Sequence, residues 1–393
     1  MHMLEISPQD ARNALFEVHG FTSLHQGVEG IRAVFHRHRC VQTDPIDIAG
    51  RNADLTLQSR VSGYGQDHLY TLLYETRELF EYYCKMMSIL PLDTYPLFHM
   101  SRTHFEHRFT PFFSEHERET RFILAQLEDG PISSRDFKGW KKVEWWGSTA
   151  LSRVILERLF VCGKVMIHHR EGAVKYYSAT EDIIPSSLLE TEPPDHVHCR
   201  EEMTRIIVRA SRLVCPSGAY EQWYAIGKTD RIRALLETLE RNGDVFPIKL
   251  QGYKNTLYAP IEDRPVWEDP VPPDSDTVRF LAPLDPLIWS RSLFAAVYGR
   301  KYLWEVYKKP KDRRYGYYCL PILFNSSYVG LIEPYYRKED KTLEIRNLHI
   351  FDHHSDQGGF KDALAEELHR FEEYVTAASI EDKSSHPFLR DGS

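Results

Sequence analysis

Six cysteines are spread over 393 residues, and no two of them form a Cys-x-x-Cys pair (Cys40, Cys84, Cys162, Cys199, Cys215, Cys319). That scatter argues against a zinc ribbon and against an iron–sulfur cluster, and it leaves buried free thiols as the expectation. No apolar run approaches the roughly 20 residues needed to cross a bilayer, and no signal-peptide core opens the chain, so a cytoplasmic protein without membrane contact is expected. Gly-rich phosphate loops, Gly-x-Ser-x-Gly elbows and dinucleotide fingerprints are missing as well. The chain also lacks overall basicity. Its net charge is −8, so any nucleic-acid activity must rest on local patches.

What remains is ordinary globular composition, 42% hydrophobic and 27% charged, in a chain long enough for several cores. Ser7-Pro8 reads as a helix start, with Ala11, Ala14, Leu15 and Val18 at helical spacing. A second amphipathic segment places Val28, Ile31, Val34 and Phe35 on one face. A strand at 42–44 and the segment 55–61 follow, and residues 69–88 read as a long helix. Two helices with an extended, hairpin-like segment are compatible with a winged helix.

The plan recurs twice. Residues 148–162 carry Leu151, Val154, Ile155, Leu159 and Cys162 inward before Gly163, a natural helix stop, and two β-prone runs then turn at Gly172 to make a wing. In the third copy Met203, Ile206, Ile207, Ala210 and Leu213 mark one helix, and Ile232, Leu235, Leu236 and Leu239 mark another, stopped by Asn242-Gly243. Its wing is formed by runs at 245–250 and 256–258. The reading is α+β: three tandem winged-helix units (1–112 with a helical extension, 113–190, 198–262) followed by a β-rich C-terminal domain (277–378). Residues 261–276, rich in Pro and acid, read as a linker, and 379–393 as a disordered tail.

Residues 40–64 carry the chemistry. Gln42 and Asp44 lie two apart before Pro45, which pushes its predecessor toward extended geometry, and alternation then puts both side chains on one face. A carboxamide beside a carboxylate can hold and polarise one water. The alternative is that Gln42 caps backbone groups and Asp44 opens a turn at Asp-Pro. Asp47 and Asp54 stand nearby as alternative carboxylates.

Gln42-x-Asp44, Arg51 and Leu55-x-Leu57-x-Ser59-Arg60 resemble the signature of bacterial winged-helix DNA glycosylases that unhook interstrand crosslinks (the AlkZ/AlkX-like group). Further anchors are Trp145-Trp146 with Lys175-Tyr176-Tyr177, Leu281-x-Pro283-x-Asp285-x-Leu287-x-Trp289-x-Arg291, and Arg314-Tyr-Gly-Tyr-Tyr318-x-Leu320-Pro321. The resemblance implies hydrolysis of the N-glycosidic bond of alkylated purines, with Gln42 and Asp44 as the catalytic pair. It implies no cofactor or metal, and a monomer whose partner is double-stranded DNA carrying alkylated bases. An N7-alkylated guanine leaves as a neutral base without a general acid; the sugar left behind is oxocarbenium-like and needs negative charge and a positioned water. The chain departs from the pattern at Thr43, where an aliphatic residue is usual, at Ala53-Asp54 in place of a His pair, and at Glu333-Pro334 in place of an Asp.

Residues 300–314 hold seven Lys or Arg against Glu305 and Asp312, a local balance of +5. Interleaved tyrosines suit phosphate contact and base stacking, although a solvated loop is the common fate of such runs. The expected DNA contacts are Arg51, Arg60, Arg153, Lys175, Lys309, Arg313, Arg314 and Tyr317, with Arg158 beside Arg153 on an exposed helix face. The histidine pairs His36/His38, His168/His169, His196/His198 and His353/His354 come without a third ligand at helical spacing. Two other functions fit parts of the pattern: a non-catalytic winged-helix regulator, and an interaction protein without a nucleic-acid role.

Overall fold

The structure, a computed structural model, describes residues 2–145, 147–218, 222–351, 358–384 and 386. Trp146, His353, His354 and residues 387–393 therefore lie outside the described residues. The chain forms two compact units, residues 1–69 with 204–393, and residues 70–203.

In the discontinuous unit, Ser7 begins the helix Pro8–Val18 as its sequence implied, its Oγ accepting the Asp10 N–H at 3.2 Å. Ala11, Ala14, Leu15, Phe16 and Val18 face inward. They join Phe246, Trp267, Leu281 and Phe294 in one core, so residues from both ends of the chain share it. The helix Gly27–His38 follows. Strand Leu4–Ile6, not anticipated from sequence, pairs in parallel with Val245–Leu250, which pairs antiparallel with Leu257–Pro260. The helix Thr229–Asn242 ends where Gly243 takes φ +82°, a left-handed conformation that suits glycine. A five-stranded sheet runs in the order Val278–Phe280, Leu320–Phe324, Ser327–Arg337, Thr342–Ile350, Ser379–Asp382, antiparallel except for the last pairing. The helix Phe360–Val375 packs on its first strand through Phe371 and Phe280, rings 5.8 Å apart.

Three sequence expectations are corrected here. Residues 55–58 belong to the helix Asn52–Gln58, capped by the Asp54 carboxylate accepting the Arg51 N–H. Residues 261–268 are not linker: Ile261–Asp263 and Arg264–Glu268 are helical turns that bury Trp267, 1% exposed, and this apolar burial outweighs the Pro-rich, acidic composition around it. Residues 379–382 are not disordered, because they add a parallel strand to the sheet edge and Lys383 Nζ reaches Glu344 at 2.6 Å.

The second unit corrects a fourth. Residues 71–75 form a π-helical turn, and Leu79–Tyr83 and Met87–Pro91 then make an antiparallel hairpin where a helix was expected. The Leu-Phe-Glu-Tyr-Tyr run is strand-prone, and Glu81 on it is buried in a pair with Arg170 at 2.9 Å. Helices His99–Glu115, Glu117–Gln126 and Leu151–Val161 precede the hairpin Val165–Glu171/Val174–Ala179, which turns at Gly172 with φ +56°. Leu151, Val154, Ile155, Leu159 and Cys162 all point inward, as their spacing implied. All six cysteines are buried, and none is in a disulfide among the described residues.

Beneath the first unit's surface, His19 and His38 stack 5.3 Å apart, both buried between Arg60 and Arg212. Burial first, and then these guanidiniums, hold both imidazoles well below their ordinary pKa of 6.5. Below pH 6.5 the unfolded chain therefore takes up protons that the fold refuses. Stability is full above that pH and is lost as pH falls toward the depressed folded values, at up to about 1.4 kcal/mol per pH unit per imidazole. The urea midpoint should drop between pH 7.5 and 5.5, and His38→Gln should flatten that drop. An unchanged slope in the variant would remove His38 from the account.

Candidate functional site

Strand Val41–Gln42 buries the Gln42 side chain, and the backbone turns away two residues later. Asp44 is half-buried. Its Oδ1 accepts the Ile46 N–H at 2.9 Å across Pro45, which is the turn that Asp-Pro favours. The turn occupies one carboxylate oxygen; Oδ2 makes no hydrogen bond among the described residues. Burial pushes the Asp44 carboxyl above its usual range, opposed only by the Ile46 N–H. Among the described residues it is a carboxylate with one anchored oxygen, one open oxygen and no cation paired to it.

Asn52 fixes this segment from behind. Fully buried, its Nδ2 donates to the Gln42 carbonyl at 2.8 Å and its Oδ1 accepts the Leu284 N–H at 2.8 Å. Tyr318 is buried, its phenol has no hydrogen-bond partner among the described residues, and burial, joined by the charges of Asp44, Asp47 and Asp54, raises its pKa. Neither residue was anticipated as functional. Tyr318 lay inside a quoted motif, but nothing local in the sequence marks Asn52, whose second partner is 232 positions away.

The alternative carboxylates are engaged elsewhere. Asp54 accepts Tyr64 Oη at 2.7 Å and the Arg51 N–H at 3.0 Å, and burial raises its pKa. Asp47 accepts the Gly50 N–H at 3.1 Å and Lys338 Nζ at 2.8 Å. Asp47 and Lys338 edge a cavity of about 290 Å³, with Gln66, Asp67, Tyr336 and Tyr374 among its walls. Gly50 has φ +101°, and the Tyr374 hydroxyl sits 1.7 Å from where a Cβ would lie, so no side chain fits there.

The expected DNA contacts divide. Arg60 is corrected: it is 2% exposed, and its guanidinium forks onto Asp285 at 2.7 and 2.9 Å while also donating to the His19 and Thr56 carbonyls. A phosphate cannot reach it. Arg51, half-buried, begins the helix Asn52–Gln58. Lys175 is held by both Glu157 oxygens at 2.9 Å, and Arg158 lies over the Phe112 ring at 3.6 Å instead of facing solvent. Arg153 is exposed.

In the loop before strand Leu320–Phe324, Lys309 and Arg314 are exposed, while Arg313 and Tyr317 are half-buried with the guanidinium 4.6 Å over the ring. Two buried carboxylates, read from sequence only as an offsetting charge and as a departure from the family pattern, shape this loop. Glu305 accepts the Arg314 and Tyr315 N–H groups at 2.8 and 2.7 Å. Glu333, one of the departures noted above, accepts those of Tyr317 and Tyr318 at 2.6 and 3.1 Å and the Asn347 amide.

Among the described residues no group of three His, Cys, Asp or Glu is placed to hold a metal, and no helix is long and apolar enough to cross a membrane. His168 and His169 face each other, Nδ1 to Nδ1, at 2.8 Å. A family model described as "DNA glycosylase AlkZ-like" matches residues 35–374. The fold is similar to that of the Streptomyces sahachiroi DNA glycosylase AlkZ, at TM-score 0.62 and 12% identity over 96% of this chain and 99% of the other.

Proposed function

The chain belongs to the AlkZ-like DNA glycosylase family, and from that premise we propose that it hydrolyses the N-glycosidic bond of alkylated purines in duplex DNA. The substrates would be N7-alkylguanine and crosslinks built on it, and the product an abasic site. The observation that carries this reading is the half-buried Asp44 carboxylate, turn-bound through one oxygen and open at the other, on the Gln42-x-Asp44 segment.

The C1′–N9 bond breaks with its electron pair going to the base, which cancels the positive charge of the alkylated imidazole. No general acid is required. The Asp44 charge stabilises the oxocarbenium-like sugar, and its open Oδ2 receives the proton of the water that adds to C1′. Gln42 orients that water. Since water is the nucleophile, the enzyme is monofunctional, with no lysine Schiff base and no strand cleavage. The helix–helix–hairpin segments are read as three winged-helix units that bind duplex DNA, in a cytoplasmic monomer that uses no cofactor.

The regulator reading is weaker, because it calls for a basic recognition helix. On Leu151–Val161, Arg153 is exposed, but Arg158 is stacked on Phe112 and Glu157 is bound to Lys175. The test is incubation with a duplex carrying a single N7-methylguanine and, separately, a nitrogen-mustard crosslink, scored for alkali-labile breaks. Breaks at the modified guanine only after alkali are expected. Their absence on both substrates would overturn the reading.

A further inference from the structure

Tyr307 is the most exposed large hydrophobic side chain among the described residues, at 86%. An isolated surface tyrosine needs no explanation, but the setting of this one does. Its ring stands edge-on to Trp304 at 5.7 Å, and Trp304 stands edge-on to Tyr318 at 5.9 Å. Tyr318 is buried, and the charge of Asp44 adds to burial in raising its pKa. A row of three rings thus leads from this buried phenol to the surface and ends in an uncovered aromatic face.

The backbone beneath that ring is held. Glu305 accepts Lys308 Nζ at 2.7 Å together with the Arg314 and Tyr315 N–H groups, and the Lys308 N–H donates to the Glu305 carbonyl at 2.9 Å. Ordering costs for such a side chain are low, since its scaffold is fixed before any partner arrives. On the same stretch of chain Lys301, Lys309 and Lys311 are exposed and make no ion pair among the described residues. An exposed aromatic face on a segment rich in uncommitted cations matches a nucleobase with its flanking phosphates.

We propose that Tyr307 is a positioning residue that stacks on a nucleobase of the duplex opened beside the lesion, with Lys301, Lys309 and Lys311 on the neighbouring phosphates. This rests on the reading that the protein acts on duplex DNA. Insertion of a ring into the stack lowers the cost of presenting the damaged nucleotide to Asp44.

Tyr307→Ala should weaken binding to an N7-methylguanine duplex by roughly tenfold, the scale of one lost base–aromatic stack. The slope of log affinity against log salt should stay unchanged, because no charge is removed. Tyr307→Phe should bind within about twofold of wild type, since the ring and not the hydroxyl makes the contact. The double variant Lys309→Ala/Lys311→Ala should instead lower that slope by about 1.8, at about 0.9 per phosphate contact. With 2-aminopurine beside the lesion, fluorescence should rise on binding of wild type and Tyr307→Phe, and not of Tyr307→Ala. Tyr307→Ala that binds and unstacks the probe like wild type would overturn the proposal and leave the glycosylase reading intact. Wild type that binds and unstacks the probe but releases no base would overturn hydrolysis alone. Wild type that does not bind the duplex would overturn both.

Discussion

Asp44→Asn is expected to slow base release by about 10²- to 10³-fold, the usual cost of removing a group aimed at transition-state charge. The substitution is close to isosteric, and an amide oxygen can still accept the Ile46 N–H, so the turn at Pro45 and the duplex affinity should survive. What goes is the negative charge and the acceptor for the water proton. Because burial raises the Asp44 carboxyl, the wild-type rate should climb with pH through that raised pKa and then level off. The Asn variant's residual rate should be flat over the same range. Single-turnover assays across pH with alkali-labile breaks as readout decide the matter. Full activity in the variant would move the chemistry to another carboxylate, Asp47 first.

The second large effect is on stability. Arg60→Met removes one partner of a fully desolvated pair and leaves Asp285 charged and buried, with the Leu287 N–H, at 3.0 Å, the one donor left to it among the described residues. Breaking such a pair costs about 3–5 kcal/mol, whereas replacing both partners by apolar groups of similar volume is often close to neutral. Arg60→Met should therefore lower the urea midpoint sharply, and Arg60→Met/Asp285→Leu should recover much of the loss. Arg314→Ala, on an exposed side chain, should stay within about 0.5 kcal/mol of wild type. A stable Arg60→Met protein that bound DNA poorly would restore Arg60 as a phosphate contact.

Both predictions bear on what the sequence could reveal. Helix ends are local events, so Ser7-Pro8, Gly163 and Gly243 announced theirs, and the strands around Gly172 were plain from their composition. Asp44 was read as the end of a strand at 42–44 with the Asp-Pro turn as the alternative; the strand stops at Gln42 and the turn is what forms, because the Asp44 carboxylate takes up the Ile46 N–H across the proline. Residues 69–88 misled because Leu69, Leu72 and Leu73 fall at helical spacing, while the hairpin beyond them is fixed by a Glu81–Arg170 pair that no local window contains. Arg60 misled for a related reason: its motif said nothing of Asp285, 225 positions on, and an arginine's partner decides whether it is a contact or a core residue. Glu305 was read as a minor offset in a basic run, yet it organises that run by accepting backbone N–H groups nine and ten positions along the chain.

The division of the chain into one continuous and one interrupted unit bears on how the protein is made. A ribosome delivers residues 70–203 as an uninterrupted block, free to collapse as soon as it has emerged. The first 69 residues must wait for the partners of Leu4–Ile6 at 245–250, and longer for the sheet completed by Ser379–Asp382. At translation speeds of about 5–20 residues per second, that wait lasts on the order of 10 to 60 seconds. During it the apolar face of Pro8–Val18 lacks the late-arriving residues that cover it in the finished fold, which puts the Gln-x-Asp segment among the last parts of the molecule to acquire its working shape.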